Sequence, residues 1–450
     1  MSIYVNRVLN MKKIKAIGFD MDYTLVRYNT ENFEEFTYYV IIEKLIKEKN
    51  YPAAISEFKF EYNRVIQGLV LDKKNGNILK LSRFGKVKSS YHGTSPIDFT
   101  KQKEIYENKV IDLSDNNIES LDTLFAIAHG VLFSQLIDYK NSNGGLSSYE
   151  QIALDIRYVL DLAHQDGSIK DEVRRNISKY IIPDLRLPRL LEVYRDFGKK
   201  LIIVTNSDYA YTKLLMDYAF TPYLAKYKSW TDLFELVITG SSKPKFFTQK
   251  SPFLHVNPET GLMSNYRDKL RPGIYQGGSA FQVERDLDLN PTEILYIGDH
   301  IYGDVVSLKK TFQWRTALVL APLEEELAAL KTSLPNQHKI DKAMQEKSEL
   351  EAEINRLYNT EAPHKHLSTP IYEKIEKINQ KISTYIEENQ KFFNPYWGSL
   401  MRAGQEESLM AAQIEKYACL YMVKVSDLVE LSPKSYYRPR RRTLPHEHLE

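Results

Sequence analysis

Three short apolar runs constrain this chain most. Residues 14–19 run into Asp20, Leu201-Ile-Ile-Val204 runs into Thr205-Asn-Ser-Asp208, and Ile294-Leu-Tyr-Ile297 runs into Gly298-Asp299. Each has strand length, is rich in β-branched residues and is apolar on both faces. Central strands of a parallel sheet have this pattern when helices cover both sides. Residues 233–239, leading to Lys243, and 316–320 are further strand candidates. Helical patterns at 187–197, 209–218 and 304–311 separate them. The alternation predicts a doubly wound α/β sheet, whose ligands bind beyond the carboxyl ends of the strands.

Asp20 and Thr205 stand about 180 residues apart, too far for a simple crossover. Residues 31–178 therefore predict an inserted cap, with helical stretches at 33–48 and 148–164 and turn signals at Asn75-Gly76 and Asn143-Gly144-Gly145. Residues 1–30 and 179–335 are left as a core split in sequence. Further on, Ile340, Met344, Leu350, Ile354 and Leu357 fit one helix stripe. Ile371, Ile375, Ile378, Ile382 and Tyr385 follow a heptad-like spacing. Residues 361–370 between them read as a loop, with Thr369 and Pro370 suited to open the second helix. Residues 336–392 thus predict an antiparallel helical hairpin, either an arm packed on itself or a partner-binding arm. Residues 393–450 are expected to pack on the core or to contact another subunit.

Gly18-Phe-Asp-Met-Asp-Tyr-Thr-Leu25 is the sharpest motif. Asp20 and Asp22, two apart after a strand, project the same way. One carboxylate can attack a phosphorus atom. The other can protonate a leaving oxygen and later deprotonate water. Two close carboxylates repel, so such a site calls for a divalent cation. The chain has one cysteine, Cys419, which excludes a cysteine cage and an intrachain disulfide. The remaining oxygen donors suit Mg²⁺. Thr205, Asn206, Ser207 and Asp208 can present hydroxyl and backbone N–H groups to a phosphate, or simply cap a helix. In Ser241-Ser-Lys243-Pro-Lys245, a lysine held near the nucleophile would neutralise phosphoryl charge; otherwise it is a surface residue. Asp299 and Asp304 lie five apart on one glycine-containing loop, able to reach a metal and a lysine.

These four pieces, in this order and each after a strand, resemble the motifs of the haloacid dehalogenase (HAD) superfamily of aspartate-nucleophile phosphatases. The resemblance implies a HAD-like Rossmannoid core with an inserted cap and a helical C-terminal extension. It implies that Asp20 is nucleophile and metal ligand, and that Asp22 is general acid/base with its backbone carbonyl on the metal. Thr205, Asn206 and Ser207 would bind phosphate, and Lys243, rather than Lys245, would stabilise charge. Asp299 would ligate the metal, and Asp304 would orient the lysine or a metal-bound water.

Val5-Asn-Arg7, Gln313-Trp-Arg-Thr316, Gly398-Ser-Leu-Met-Arg-Ala-Gly404 and Leu444-Pro-His-Glu447, together with the motifs, resemble cytosolic purine 5′-nucleotidases over almost the whole chain. This implies Mg²⁺-dependent hydrolysis of the purine nucleoside 5′-monophosphates IMP and GMP, phosphate transfer to a second nucleoside, a homodimer or homotetramer, and a cytoplasmic location. The stretch from Asp155 to Lys170 is similar to the family's substrate region. There Arg157 and Asp161 would face the polar edge of the base, His164 would stack and Lys170 would meet the phosphate. Phe125 falls where the family has a base-stacking phenylalanine; without that it would be read as core. Arg157, Asp161 and His164 share one helix face by spacing; a solvated, salt-bridged face is the plain alternative. Gln165 and Ala126 depart from the family, standing where it has an aromatic and an amide.

Two other readings stay open: a phosphatase of the same superfamily for a different ester, and a catalytically weak interaction protein using the helical arm. The near-balanced charge, +2, argues against a nucleic-acid partner. No apolar run approaches the ~18 residues of a membrane span, and none opens the chain as a signal region. Arg438-Pro-Arg-Arg-Arg442 reads as a solvated or subunit-contact segment.

Overall fold

The computed structural model describes residues 3–358, 365–441 and 447. Part of the Leu444-to-Glu447 block, and residues 359–364 of the expected loop, lie outside the described residues. The described residues form two compact units, Met1–Ala321 with Ala403–Glu450, and Pro322–Arg402.

A ten-stranded sheet organises the first unit. Its strands in chain order are β1 (Ile3–Val5), β2 (Ala16–Phe19), β3 (Lys200–Val204), β4 (Leu236–Thr239), β5 (Phe253–Val256), β6 (Met263–Tyr266), β7 (Gly273–Gly277), β8 (Ile294–Gly298), β9 (Arg315–Val319) and β10 (Leu420–Met422). In space the order is β1-β10-β9-β8-β2-β3-β4-β7-β5-β6. From β10 to β7 each neighbouring pair is parallel. At the edges β1, β5 and β6 run antiparallel to their neighbours.

The period of two explains why the central strands are apolar throughout. Ile17, Phe19, Leu201, Ile203, Leu295 and Ile297 bury into one layer. Ala16, Ile202, Val204, Ile294 and Tyr296 bury into the other. Each fully buried aliphatic or aromatic side chain stabilises such a layer by about 1.5–3 kcal/mol. Helices of this unit therefore cover both faces, which makes the fold doubly wound α/β. The chain leaves β2 toward β3 and later returns to β8 on the other side of β2. The carboxyl end of β2 is thus the point where the winding reverses, the place where such sheets open a crevice.

Between β2 and β3 lie α1 (Thr30–Lys49), α2 (Ile127–Asn143) and α3 (Tyr149–Gln165). The same insertion holds a five-stranded antiparallel sheet over Leu69–Asp72, Asn77–Leu81, Val87–His92, Ser95–Pro96 and Ile118–Leu121. The sequence suggested only turns there. Leu69–Asp72 and Asn77–Leu81 are buried at every position, so they lack the alternation that marks a half-exposed strand.

In the second unit, α4 (Leu323–Tyr358) and α5 (Lys365–Gln390) pack on each other. Ile354, Ile371 and Ile375 form one cluster, and Ala343, Ile378 and Ile382 another, with Leu350 packed against each. Two details differ from the periodicity. Ala343, not Met344, faces the seam, and Met344 is exposed. Thr369 and Pro370 are suited to open the second helix, but that helix already begins at Lys365 and continues through Pro370.

Candidate active site

Asp20 follows β2 directly. Its backbone N–H donates to the Ile297 carbonyl at 2.8 Å, and its Oδ1 accepts from the Met21 N–H at 2.7 Å. The chain then turns sharply: the Thr24 and Val26 N–H groups donate to the Met21 carbonyl, and Tyr23 is left-handed, with φ 55°. This turn sets Asp22 beside the next loop. Asp22 Oδ2 accepts from the Ser207 hydroxyl at 2.7 Å, and Oδ1 accepts from the Tyr28 hydroxyl at 2.6 Å.

Lys243 reaches the same place from the loop after β4. Its Nζ lies 2.8 Å from Asp20 Oδ1 and 2.7 Å from Asp304 Oδ1, with its side chain almost fully enclosed. Burial alone would lower the ammonium's proton affinity, but Asp20 and Asp304 hold it well above the usual lysine range. Lys245 is exposed. Lys243 also donates to the Tyr296 hydroxyl at 3.1 Å, which itself donates to the Val204 carbonyl at 3.0 Å. Asn206 fixes the lysine's backbone: its Oδ1 accepts from the Lys243 N–H at 2.6 Å, and its Nδ2 donates to the Lys243 carbonyl at 3.1 Å. The Asn206 side chain is therefore a clamp on the lysine loop, not a group turned toward a phosphate.

Asp299 and Asp304 complete an acid cluster with Asp20. These three carboxylates offer oxygens within 4.8 Å of one another. Burial, then repulsion from Asp20 and Asp304, raises the Asp299 carboxyl well above the ordinary range. Asp20 is also raised by burial, against the lowering pull of Lys243. The expected helix over 304–311 begins instead as a wider π-turn, Ile301–Val306, followed by α-helix over Ser307–Thr311. Such turns recur at functional sites. Asp304 packs so tightly under Gly298 that a Cβ there would sit 2.3 Å from its Oδ2.

The cavity at this point holds about 410 Å³, within the range of small-molecule sites. Asp20, Asp22, Thr205, Asn206, Ser207, Lys243, Asp299 and Asp304 line one part, and Phe125, Asp161, His164 and Lys170 another. Phe125 sits in the turn Leu124–Ala126 before α2, edge-on to Tyr23, Phe33 and His164. Burial, with the charge of Lys170 nearby, pushes the His164 imidazole down to about 4, so it is neutral near pH 7. Lys170 pairs with Asp208, which caps the helix Tyr209–Ala219.

The whole chain can now be set beside known proteins. Residues 3–449 match the model of the 5′ nucleotidase family. The chain belongs to that family. A 5′-nucleotidase domain-containing protein of Dictyostelium discoideum is 26% identical over 99% of this chain and 74% of its own length. 5′-Nucleotidase domain-containing protein 2 of Rattus norvegicus is 24% identical over 99% of this chain and 80% of its own. Among solved structures, a predicted phosphoglycolate phosphatase of Haemophilus somnus is 14% identical, covering 68% of this chain and 85% of its own, with a TM-score of 0.29. A superposition that low adds nothing to the sheet order above. Family membership makes the chain a phosphoric monoester hydrolase.

Arg157 stands apart from the other expected site residues. It does not line the cavity. Its side chain is 62% exposed and lies 3.8 Å from Glu119. Four residues of helix advance about 6 Å, so Arg157 stands a turn beyond Asp161 on α3, where Glu119 draws its guanidinium away. Sequence reasoning also missed Tyr28, Phe33, Thr123, Tyr211 and His300, which line the cavity, and Tyr296, which holds the lysine. Tyr296 carried one faint signal, a hydroxyl in an otherwise aliphatic strand. It also explains Gly18, where a Cβ would meet its ring at 2.7 Å.

Proposed function

We propose that this chain is a Mg²⁺-dependent 5′-nucleotidase for purine nucleoside 5′-monophosphates, IMP and GMP. The observation that carries the reading is Asp20: a buried carboxylate at the carboxyl end of β2, facing a cavity, with Lys243 at 2.8 Å and Asp22 two residues on. An Asp20 oxygen attacks phosphorus, the P–O5′ bond breaks, and Asp22 gives its proton to the nucleoside O5′. Water then attacks the phospho-aspartate, Asp22 takes the water's proton, and the bond from phosphorus to Asp20 breaks. A second nucleoside hydroxyl in place of that water gives phosphotransfer. Lys243 offsets charge on the phosphoryl oxygens, with Thr205, Ser207 and Lys170 as phosphate contacts.

The acid cluster suits a hard divalent cation. Its donors are all carboxylate oxygens, and burial of like charges leaves Asp299 favouring its neutral form unless a cation is near. Asp20, Asp299 and the Asp22 carbonyl would hold the ion, with Asp304 supporting it. When bound, Mg²⁺ supplies positive charge to the phosphoryl oxygens and the carboxylates.

Asp161 supports the purine assignment. Its carboxylate accepts only, which suits the N–H edge of a 6-oxopurine lying beside the edge-on pair Phe125 and His164. We assign residues 31–178 as the cap that carries these groups, residues 1–30, 179–321 and 403–450 as the phosphatase core, and residues 322–402 as the helical arm, wider than the 336–392 read from periodicity. Phosphate release from IMP, GMP, AMP and CMP with Mg²⁺ tests the reading. IMP and GMP should lead; equal rates on all four would overturn the base assignment.

A further inference from the structure

The wall of the cavity behind Asp22 contains two buried tyrosines that the mechanism above leaves unused. Tyr28 and Tyr211 are 6% and 5% exposed. Tyr28 donates its only O–H to Asp22 Oδ1 at 2.6 Å. Its oxygen lies 3.2 Å from the Tyr211 hydroxyl, so Tyr211 is the donor in that second bond. The three groups form a chain from Tyr211 through Tyr28 to Asp22. Ser207 holds the other carboxylate oxygen at 2.7 Å.

Separate parts of the fold deliver each ring. Tyr28 ends the short strand Arg27–Tyr28, which pairs with Ile181–Ile182 on the far side of the insertion. Its ring packs edge-on against Phe33 at 5.0 Å and Phe125 at 5.8 Å. Tyr211 sits in the first turn of the helix that follows the Thr205-to-Asp208 loop, where its N–H donates to Asp208. Phenylalanine would fill this wall equally well, because the rings pack in an otherwise apolar cluster. Burying a hydroxyl is unfavourable unless it is bonded. The hydroxyls are therefore accounted for by what they bond, and the end of their chain is Asp22.

We infer that Tyr28 and Tyr211 are positioning residues that hold the Asp22 carboxyl group in place for proton transfer to the leaving oxygen. Tyr28 acts by direct contact, and Tyr211 acts through Tyr28. A Tyr28 O–H can donate to the same Asp22 oxygen whether the carboxyl group is protonated on its other oxygen or ionised, so one contact serves Asp22 before and after it transfers the proton. Tyr28 also touches Phe125, which ties the base wall of the cavity to its chemical end. The inference rests on the assignment of Asp22 as acid/base.

The test uses leaving groups in a single turnover of the full-length protein with Mg²⁺. Breaking the P–O5′ bond of a nucleotide expels an alkoxide that needs a proton. Breaking the corresponding bond of p-nitrophenyl phosphate expels a phenolate that does not. Tyr28→Phe should slow nucleoside release from GMP by about 10- to 100-fold, the scale of a misplaced acid. Nitrophenol release by the same variant should stay within about threefold of wild type. Tyr211→Phe should give the same pattern at a smaller size, about three- to tenfold on GMP. Equal slowing on the two substrates would mean a merely structural wall, and wild-type rates on each would mean no role; either result overturns the inference. Asp22→Asn, run alongside, separates the two levels. If it retains the wild-type rate on GMP, the acid/base assignment itself falls; if it is slow on GMP while the tyrosine variants are not, only the inference falls.

Discussion

Lys243 shows how much one residue carries. Its ammonium is enclosed between two carboxylates and a tyrosine hydroxyl. Removing one partner of a buried ion pair costs about 3–5 kcal/mol, because the other charge stays buried and unpaired. Lys243→Met should therefore lower stability by that amount and lower turnover by about 10²–10³-fold. Urea unfolding with steady-state kinetics reads each quantity, and an unchanged midpoint would contradict the burial argument. At this scale Asp20 and Asp299 were legible because each directly follows a strand end, and Asp22 and Asp304 by their spacing from them. The lysine was legible only by its place in the motif order, since isolated lysines are mostly surface residues. Arg157 was misplaced because helix spacing gives a shared face but not how far along the axis a cavity extends.

At the scale of elements, the joint between α1 and α2 is a place where pH should act. Glu34 on α1 is fully buried, and its Oε2 accepts from the Ala128 N–H at 2.8 Å in the first turn of α2. That turn follows Phe125, so Glu34 helps fix this wall of the cavity. Burial pushes the Glu34 carboxyl up to about 8, against the lowering effect of that backbone hydrogen bond. A carboxyl raised on folding holds more protons in the folded state than in the unfolded one. Its contribution to stability is complete below about pH 4.5, the ordinary glutamate value, and is lost as pH rises through about 8. Glu34→Gln keeps the acceptor and removes the titration. The variant should show a flatter melting temperature between about pH 5 and 8 and gain on wild type at the alkaline end. Parallel pH dependence in the two proteins would contradict this.

Elements were unevenly legible. The core strands announced themselves as apolar runs with a polar stop. The insertion's antiparallel sheet did not, because Val87–His92 reads as polar and its partner Asn77–Leu81 is continuously buried. The π-turn at Ile301–Val306 was hidden for another reason. Gly303 donates to His300 Nδ1 at 3.3 Å, a local bond that competes with the regular helix and that no periodicity reveals.

For the whole molecule, the long interval between Asp20 and Thr205 already implied a core split by an insertion. The width of the sheet was not visible. β1 and β10 are three residues each, too short to carry a pattern, yet they form the edge beside β9. No helix among the described residues is long and apolar enough to cross a membrane. A cation binding only the folded acid cluster should stabilise the whole unit by mass action. At 100 times its dissociation constant, Mg²⁺ should add about 2.7 kcal/mol, a rise of about 2–4 °C in melting temperature. Excess EDTA should reverse the rise, and Asp299→Asn should abolish most of it. An equal rise in that variant would place the ion elsewhere.

The central claim is that Asp20 takes the phosphoryl group from a purine nucleoside 5′-monophosphate. Phosphate release from GMP and IMP, measured with Mg²⁺ on wild type and on Asp20→Asn, tests it most directly. Wild type should turn over, while Asp20→Asn, still folded, should release no phosphate above background. Turnover by Asp20→Asn at the wild-type rate would contradict the account.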